Sequence, residues 1–247
     1  AQITCGQRAA PCAVERVRID PATLEPRYRV VGAEPWSDEP DFEAATAGLP
    51  IGGLCESGII EMVVELQRAG VIDANGAFVA DAAARSDRVR SRDRTLEYVV
   101  LDGEHAIVFT QADVRAVQLA KAALRAGIDL LLEHRASTRI DVALLAGAFG
   151  THVDPAYAIG LGLVPDIPVS SIRSVGNAAG AGAVRLLLSR SVRDELESTV
   201  GRIVKIETAT EPAFQAHFVA AMSIPHASAH PVDPGAGRRR RRRERIA

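Results

Sequence analysis

The sequence predicts an α/β fold, and three observations carry that prediction. First, the apolar run Asp141-Val-Ala-Leu-Leu-Ala146 ends at Gly147 and Gly150, and Asp154-Pro155 follows at once. Asp is a good helix N-cap and proline is favoured in the first turn, so a strand runs through a glycine turn towards a helix. Second, the arrangement recurs at Ser171-Ile-Arg-Ser-Val-Gly176-Asn177, which opens onto Ala178-Ala-Gly-Ala-Gly-Ala183. Third, strand-like and helix-like patterns alternate over the second half of the chain, which means a layered sheet with flanking helices. A buried strand ending in a tight glycine turn leaves backbone N–H groups bare for a ligand. Two such junctions this close in sequence suggest one nucleotide-sized cleft.

The elements follow in order. Val14, Val17 and Ile19 alternate with Arg16 and Arg18, the mark of a half-buried strand, and Arg27-Tyr-Arg-Val-Val31 is its hairpin partner. Residues 36–50 read as loop. Gly52-Gly-Leu-Cys-Glu-Ser-Gly58 leads into a helix from Ile59 that Gly70 closes. Residues 75–95 are polar and irregular and read as an exposed excursion. Tyr98–Leu101 and Ala106–Phe109 flank Asp102-Gly103, a hairpin by its turn chemistry. Thr110 caps a long helix, with Asp113 as the acidic partner of a capping box. Val114, Val117, Leu124, Ile128 and Leu131 repeat at helical spacing and predict its buried face. A strand at 142–146, a helix from Pro155, a strand at 172–175 and a helix over 178–188 come next. A helix from Ser191, a strand at Ile203-Val-Lys-Ile206 and a helix from Glu211 to Met222 complete the ordered part.

The chain has 247 residues, 47% of them hydrophobic but only 4% aromatic, so its core is built from Ala, Val, Leu and Ile. No apolar run approaches the ~20 residues that cross a bilayer. The N-terminus has neither a secretory signal nor a starting Met, which reads as a processed chain or one that begins partway through something longer. Three scattered cysteines without CxxC spacing argue against a disulfide framework and against a structural zinc, and point to a reducing cytoplasm. The net charge is −2, yet the segment from Gly237 holds seven arginines and one glutamate, a net +6, which leaves −8 for the rest. Residues 226–247, rich in Pro, Ala and Arg, read as a disordered tail: an electrostatic tether, or a solubilising terminus without a partner. An acidic body and a tail without aromatics give no support to specific nucleic-acid recognition.

At the junctions, Gly147 and Gly150 reach backbone angles other residues avoid and bar no ligand. Gly176-Asn177 turns the chain into a helix of small side chains that can approach a flat ring or simply pack on a sheet. Neither junction has G-x-G-x-x-G spacing, which disfavours a nicotinamide dehydrogenase, and no GK[ST] of a P-loop occurs. No residue presents itself as catalytic and no cluster as a metal site. Cys55 at a helix start reads as a buried structural thiol, because no histidine lies nearby in sequence to make it a nucleophile. His152 reads as a solvent-facing residue that could also contact a nucleotide or cap the next helix. Asp141 reads as a turn or capping residue. Glu61 and Glu65 share a helix face, but no second acidic segment answers them for a di-metal site. Phe214 and Phe218 read as the stripe that docks the last helix.

Leu144-Ala-Gly-Ala-Phe-Gly150, Ile159-Gly-Leu-Gly-Leu-Val-Pro165, Val175-Gly-Asn-Ala-Ala-Gly-Ala-Gly182, Gln111 through Lys121, Pro212 through Met222 and Cys5-Gly-Gln-Arg-Ala-Ala10 occur in one order. The set closely resembles the C-terminal domain of the reductive activators of corrinoid proteins, iron–sulfur ATPases of the acetate and sugar kinase, Hsp70 and actin (ASKHA) superfamily. The resemblance covers residues 3 to about 225. It implies an actin-like, ribonuclease H-like lobe with a mixed sheet over residues 1–225. It also implies adenine-nucleotide contacts at Gly147, Phe149, Gly150, Gly176 and Asn177, and a corrinoid protein or corrinoid-dependent methyltransferase as partner. Complete members carry a [2Fe–2S] domain and phosphate loops upstream and use ATP to drive the reduction of cob(II)alamin. Neither the loops nor four cluster cysteines occur here, so the resemblance implies a fragment or relic that binds ATP weakly or not at all and holds no [2Fe–2S] cluster. Glu56 replaces the Gly usual in Gly-Ile-Cys-Gly-Ser-Gly, and Gln7 and Cys12 replace a usual Met and Gly. A lobe that lacks its partner lobe is also expected to expose apolar surface and self-associate.

Overall fold

β1 (Val14–Ile19) and β2 (Pro26–Val30) pair antiparallel, with Val17 opposite Tyr28. Val14, Val17, Leu24 and Val30 are fully buried, so the alternation read from the sequence does set the inner face. The computed structural model describes residues 3–46 and 50–226. The arginine-rich tail from 227 onward lies outside the described residues.

After the short helix α1 (Phe42–Ala45), helix α2 (Glu56–Arg68) packs along β1. It starts three residues earlier than Ile59 and stops at Gly70, whose φ of +69° turns the chain. Its face towards β1 carries two buried carboxylates. Glu61 accepts the Val17 N–H at 3.0 Å and Glu65 accepts the Ile19 N–H at 3.0 Å. Four helical residues rise about 6 Å and two strand residues about 6.8 Å, so an i, i+4 pair on α2 matches alternate edge donors of β1. The helix thereby satisfies an edge that would otherwise need another strand. Arg16 at 2.8 Å and Arg18 at 2.5 Å pair with Glu61, while the Tyr157 hydroxyl donates to Glu65 at 2.6 Å. This accounts for the two acids without a metal.

The segment 75–95 is more ordered than its composition predicts. α3 (Ala82–Arg85) is followed by β3 (Val89–Arg92), which pairs with β4 (Thr95–Leu101), and β4 pairs with β5 (Ile107–Thr110) around Gly103 at φ +108°. The polar residues of β3 face outward, and Arg90 and Arg92 pair with Asp102 and Glu97. Helix α4 (Gln111–His134) opens with the predicted capping box: Thr110 Oγ1 accepts the Asp113 N–H, and Asp113 accepts the Thr110 N–H.

The buried face of α4 differs from its aliphatic periodicity. Leu124 and Leu131 are 52% and 55% exposed, whereas Gln118, Lys121, Arg125 and Leu130 are buried. The polar residues turn inward because the chain end supplies partners. Gln118 Nε2 donates to the carbonyls of Asn75 and Met222 at 2.9 Å each, Lys121 donates to the Ser223 carbonyl, and Arg125 pairs with Asp129. α9 (Phe214–Ala220) lies against α4, with its Phe214 and Phe218 rings half-buried and 6.1 Å apart. Desolvation, and secondarily Arg125, brings the Lys121 ammonium down to a pKa of about 8. A base held below its unfolded value of about 10.4 destabilises the fold below pH 8, and the cost is relieved as pH rises through 8 to 10. Urea midpoints should therefore rise over that interval, and Lys121→Met should flatten the rise; an identical slope in the variant would reject the assignment.

Beyond α4, β6 (Ala143–Ala146), α5 (Gly147–His152), α6 (Pro155–Leu161), β7 (Ile172–Gly176), α7 (Ala178–Leu188) and α8 (Arg190–Val200) follow, with β6 and β7 parallel. Two expectations fail here. β6 is half-exposed rather than buried, with Leu144 60% exposed, because α5 is its main cover. Residues 203–206 pair with no strand among the described residues, and Ile203 and Val204 face outward.

Candidate functional site

The parallel pairing of β6 and β7 sets Ala143 opposite Ile172 and Ala146 opposite Gly176. The two glycine junctions therefore stand side by side at the carboxyl ends of hydrogen-bonded strands. Gly147 has φ +96° and Gly176 φ +62°, and a Cβ added at either would meet nothing within 4 Å. These glycines are required by the backbone turn, and the space in front of them is open. Gly150 serves differently: its Cβ would lie 2.8 Å from the Leu145 carbonyl, so it lets α5 fold back onto β6. Asn177 caps α7 by accepting the Gly180 N–H at 2.9 Å. Gly147, Gly150, Gly176 and Asn177 thus share one end of the sheet, while the Phe149 side chain lies outside the described residues.

A cleft of about 390 Å³ elsewhere is lined by Ala9, Glu15, Val31, Cys55, Glu56, Ser57 and His152. Its volume lies in the range of small-molecule sites. The six residues of α5 span about 9 Å, so the helix runs from the Gly147 junction to this cleft, where His152 is its last residue. His152 is exposed and does not cap the next helix; Asp154 does, accepting the Ala156 N–H at 2.8 Å. Cys55, Glu56 and His152 stand out in the sequence one by one, but not as a cleft, because residues 9, 15 and 31 meet 55–57 only through tertiary packing. The glycines were the available signal: a Cβ at Gly53 would lie 2.4 Å from the Cys5 carbonyl oxygen, and one at Gly58 2.3 Å from that of Val14.

The cysteines do not fit an iron–sulfur cluster, because Cys5, Cys12 and Cys55 are one too few for the four thiolates it needs. Cys12 and Cys55 are buried, Cys55 lies 3.3 Å from the Ser57 hydroxyl, and burial followed by Asp113 pushes the Cys5 thiol up to about 12. Asp141 is exposed and held by Arg139 Nε at 2.7 Å, a local turn contact. None of the described helices is long and apolar enough to cross a membrane.

Open glycine turns at the carboxyl ends of adjacent parallel strands, each followed by a helix, define an α/β domain of the class that places ligands at strand ends. The comparisons make this specific: residues 1–234 match the model of the C-terminal domain of RACo, the ASKHA domain, and the chain belongs to that family. It is 33% identical over 226 residues to the corrinoid activation enzyme RamQ of Eubacterium limosum, covering 87% of this chain and 35% of that protein. Among solved structures, a reductive activator for corrinoid, iron-sulfur protein superposes with a TM-score of 0.77 at 33% identity, over 92% of this chain and 35% of that one. The chain thus spans about a third of the length of the relatives it matches, and it has the ASKHA fold.

Proposed function

We infer that this chain is the nucleotide-facing C-terminal lobe of an ATP-dependent reductive activator of a corrinoid protein. The observation that carries the reading is the pair of open glycine turns, Gly147 and Gly176, side by side at the ends of β6 and β7. Such turns present backbone N–H groups and admit a ring or phosphate without obstruction. Gly147, Phe149, Gly150, Gly176 and Asn177 are the proposed contacts, with Gly150 and Asn177 holding the turns in shape. The resemblance puts the phosphate loops and the [2Fe–2S] domain in the longer proteins, so we expect the chain alone to bind ATP weakly or not at all and not to hydrolyse it. Residues 1–225 form the lobe and the arginine-rich segment its appendage. In a full-length reductive activator, valine at the glycine matching Gly147 should weaken ATP binding at least tenfold by calorimetric titration. Unchanged affinity would place the nucleotide elsewhere.

A second reading, a docking module without catalysis, is favoured by the exposed apolar surface of the second half. Leu187 and Leu188 are 80% and 82% exposed, and no residue of α7 is buried. Such surface marks a contact with something larger.

A further inference from the structure

The segment Ala221–His226 is strapped across α4 by main-chain groups. The Met222 carbonyl accepts Gln118 Nε2 at 2.9 Å, the Ser223 carbonyl accepts Lys121 Nζ, and the Ile224 N–H donates to the Ala74 carbonyl at 2.8 Å. Ala221 and Ile224 are fully buried, and His226 is 8% exposed. Gly162, at the end of α6, makes room for the strap: a Cβ there would lie 2.8 Å from the His226 nitrogen and 3.1 Å from its Cβ. The His226 ring enters a cluster of charge formed by Lys121, Arg125 and Asp129, which follow one another at four-residue spacing on one face of α4. Asp129 lies 3.8 Å from His226 Nε2 and is already bound by Arg125 at 2.9 and 3.0 Å. The segment after α6 adds the Val164 carbonyl, which accepts from Arg125, and the exposed Asp166 two residues on. Two positive charges thus lie beneath the strap before His226 takes up any.

We propose that Ala221–His226 is a pH-operated strap: protonation of His226 lifts it off α4 and releases the chain that follows. A protonated imidazole is a third cation in a buried space whose nearest carboxylate, Asp129, is shared with Arg125, and moving into water relieves that cost. Burial, then Arg125, hold the His226 ring below the ordinary histidine value of about 6.5, with Asp129 pulling the other way and Lys121 adding to the depression. A base depressed in the docked state stabilises docking above pH 6.5, and that contribution is lost as pH falls below it. Lys121 stays charged throughout this range, so it sets a different interval. Release uncovers the α4 face under Ile224 and adds six residues, up to about 20 Å, to the reach of the arginine-rich segment.

The test follows the full chain and its His226→Gln variant by NMR from pH 7.5 to 5.5. It reads the His226 ring and the hydrogen-exchange protection of the Ile224 amide, corrected for the intrinsic rate. The Val31 amide, bonded to Ala13 beside the β1–β2 hairpin, is the internal reference. One proton taken up per opening lowers protection by up to about tenfold per pH unit. The expected result in wild type is a loss of about tenfold at Ile224 by pH 5.5, in step with the His226 ring, while Val31 is unchanged. His226→Gln, which takes up no proton, should show no loss. Protection at Ile224 that stays level in wild type, or falls equally in the variant, overturns the proposal. A rise on acidification also overturns it, since His226 and Asp129 would then be an ion-pair clasp. If His226→Gln leaves Ile224 unprotected even at pH 7.5, wild type decides: a ring that titrates while Ile224 stays protected overturns the strap, and coincident changes support it.

Discussion

Replacing Glu61 with alanine should destabilise the fold by about 3–5 kcal/mol, the range for removing one member of a buried ion pair. Glu61 is 1% exposed and serves three donors: Arg16, Arg18 and the backbone N–H of Val17. Its loss leaves the strand donor unsatisfied and strands Arg18, whose guanidinium sits 4.7 Å from the Tyr157 ring centre and 5.5 Å from that of Trp36. The neighbouring Glu65 cannot substitute, because Ile19, Tyr157 and Arg68 already occupy it. Glu61→Gln keeps an acceptor for Val17 and should fall between wild type and alanine. The exposed pair Arg90–Asp102 provides the contrast: Asp102→Asn should leave the urea midpoint within error, since solvent screens that pair. If Glu61→Ala unfolds at the same urea concentration as wild type, the carboxylate ladder is not what joins α2 to β1.

That ladder also shows where sequence reading stops. Local chemistry was legible: the β1–β2 hairpin, the Thr110–Asp113 capping box, the Asp154-Pro155 helix start and the two glycine junctions all form as their residues dictate. What failed depended on partners remote in sequence. Glu61 and Glu65 read only as a pair on one helix face with no acidic segment to complete a metal site; their burial follows from the edge of β1, whose donors lie more than 40 residues away. Lys121 and Gln118 carry no apolar signal, yet they are buried because carbonyls a hundred residues later meet them. Conversely, Ile203-Val-Lys-Ile206 has strand propensity but no strand beside it, and propensity without a pairing edge does not make a sheet. The site divides the same way. The glycine turns are written in consecutive residues, whereas the cleft around Glu56 joins segments that only the fold brings together.

Gly58→Ala should destabilise the protein by about 2 kcal/mol or more, although helix propensity alone predicts the opposite sign by about 1 kcal/mol. Gly58 lies in the first turn of α2, and an added Cβ would sit 2.3 Å from the carbonyl oxygen of Val14 and 3.1 Å from its carbon. Val14 cannot retreat easily. Its N–H donates to Gly53, its carbonyl accepts the Cys55 N–H, and its side chain is fully buried. The helix must shift instead, which would pull the carboxylates of Glu61 and Glu65 off the edge of β1. Gly127, inside α4 with nothing within 4 Å of an added Cβ, is the matched control. There alanine should stabilise by about 0.5–1 kcal/mol. Opposite signs at the two glycines, measured by urea unfolding, would establish the close approach of α2 to β1; equal stabilisation at both would refute it. Because the first turn of α2 also forms the wall of the cleft that carries Glu56, the same substitution should displace the amides of residues 55–57 even in molecules that remain folded.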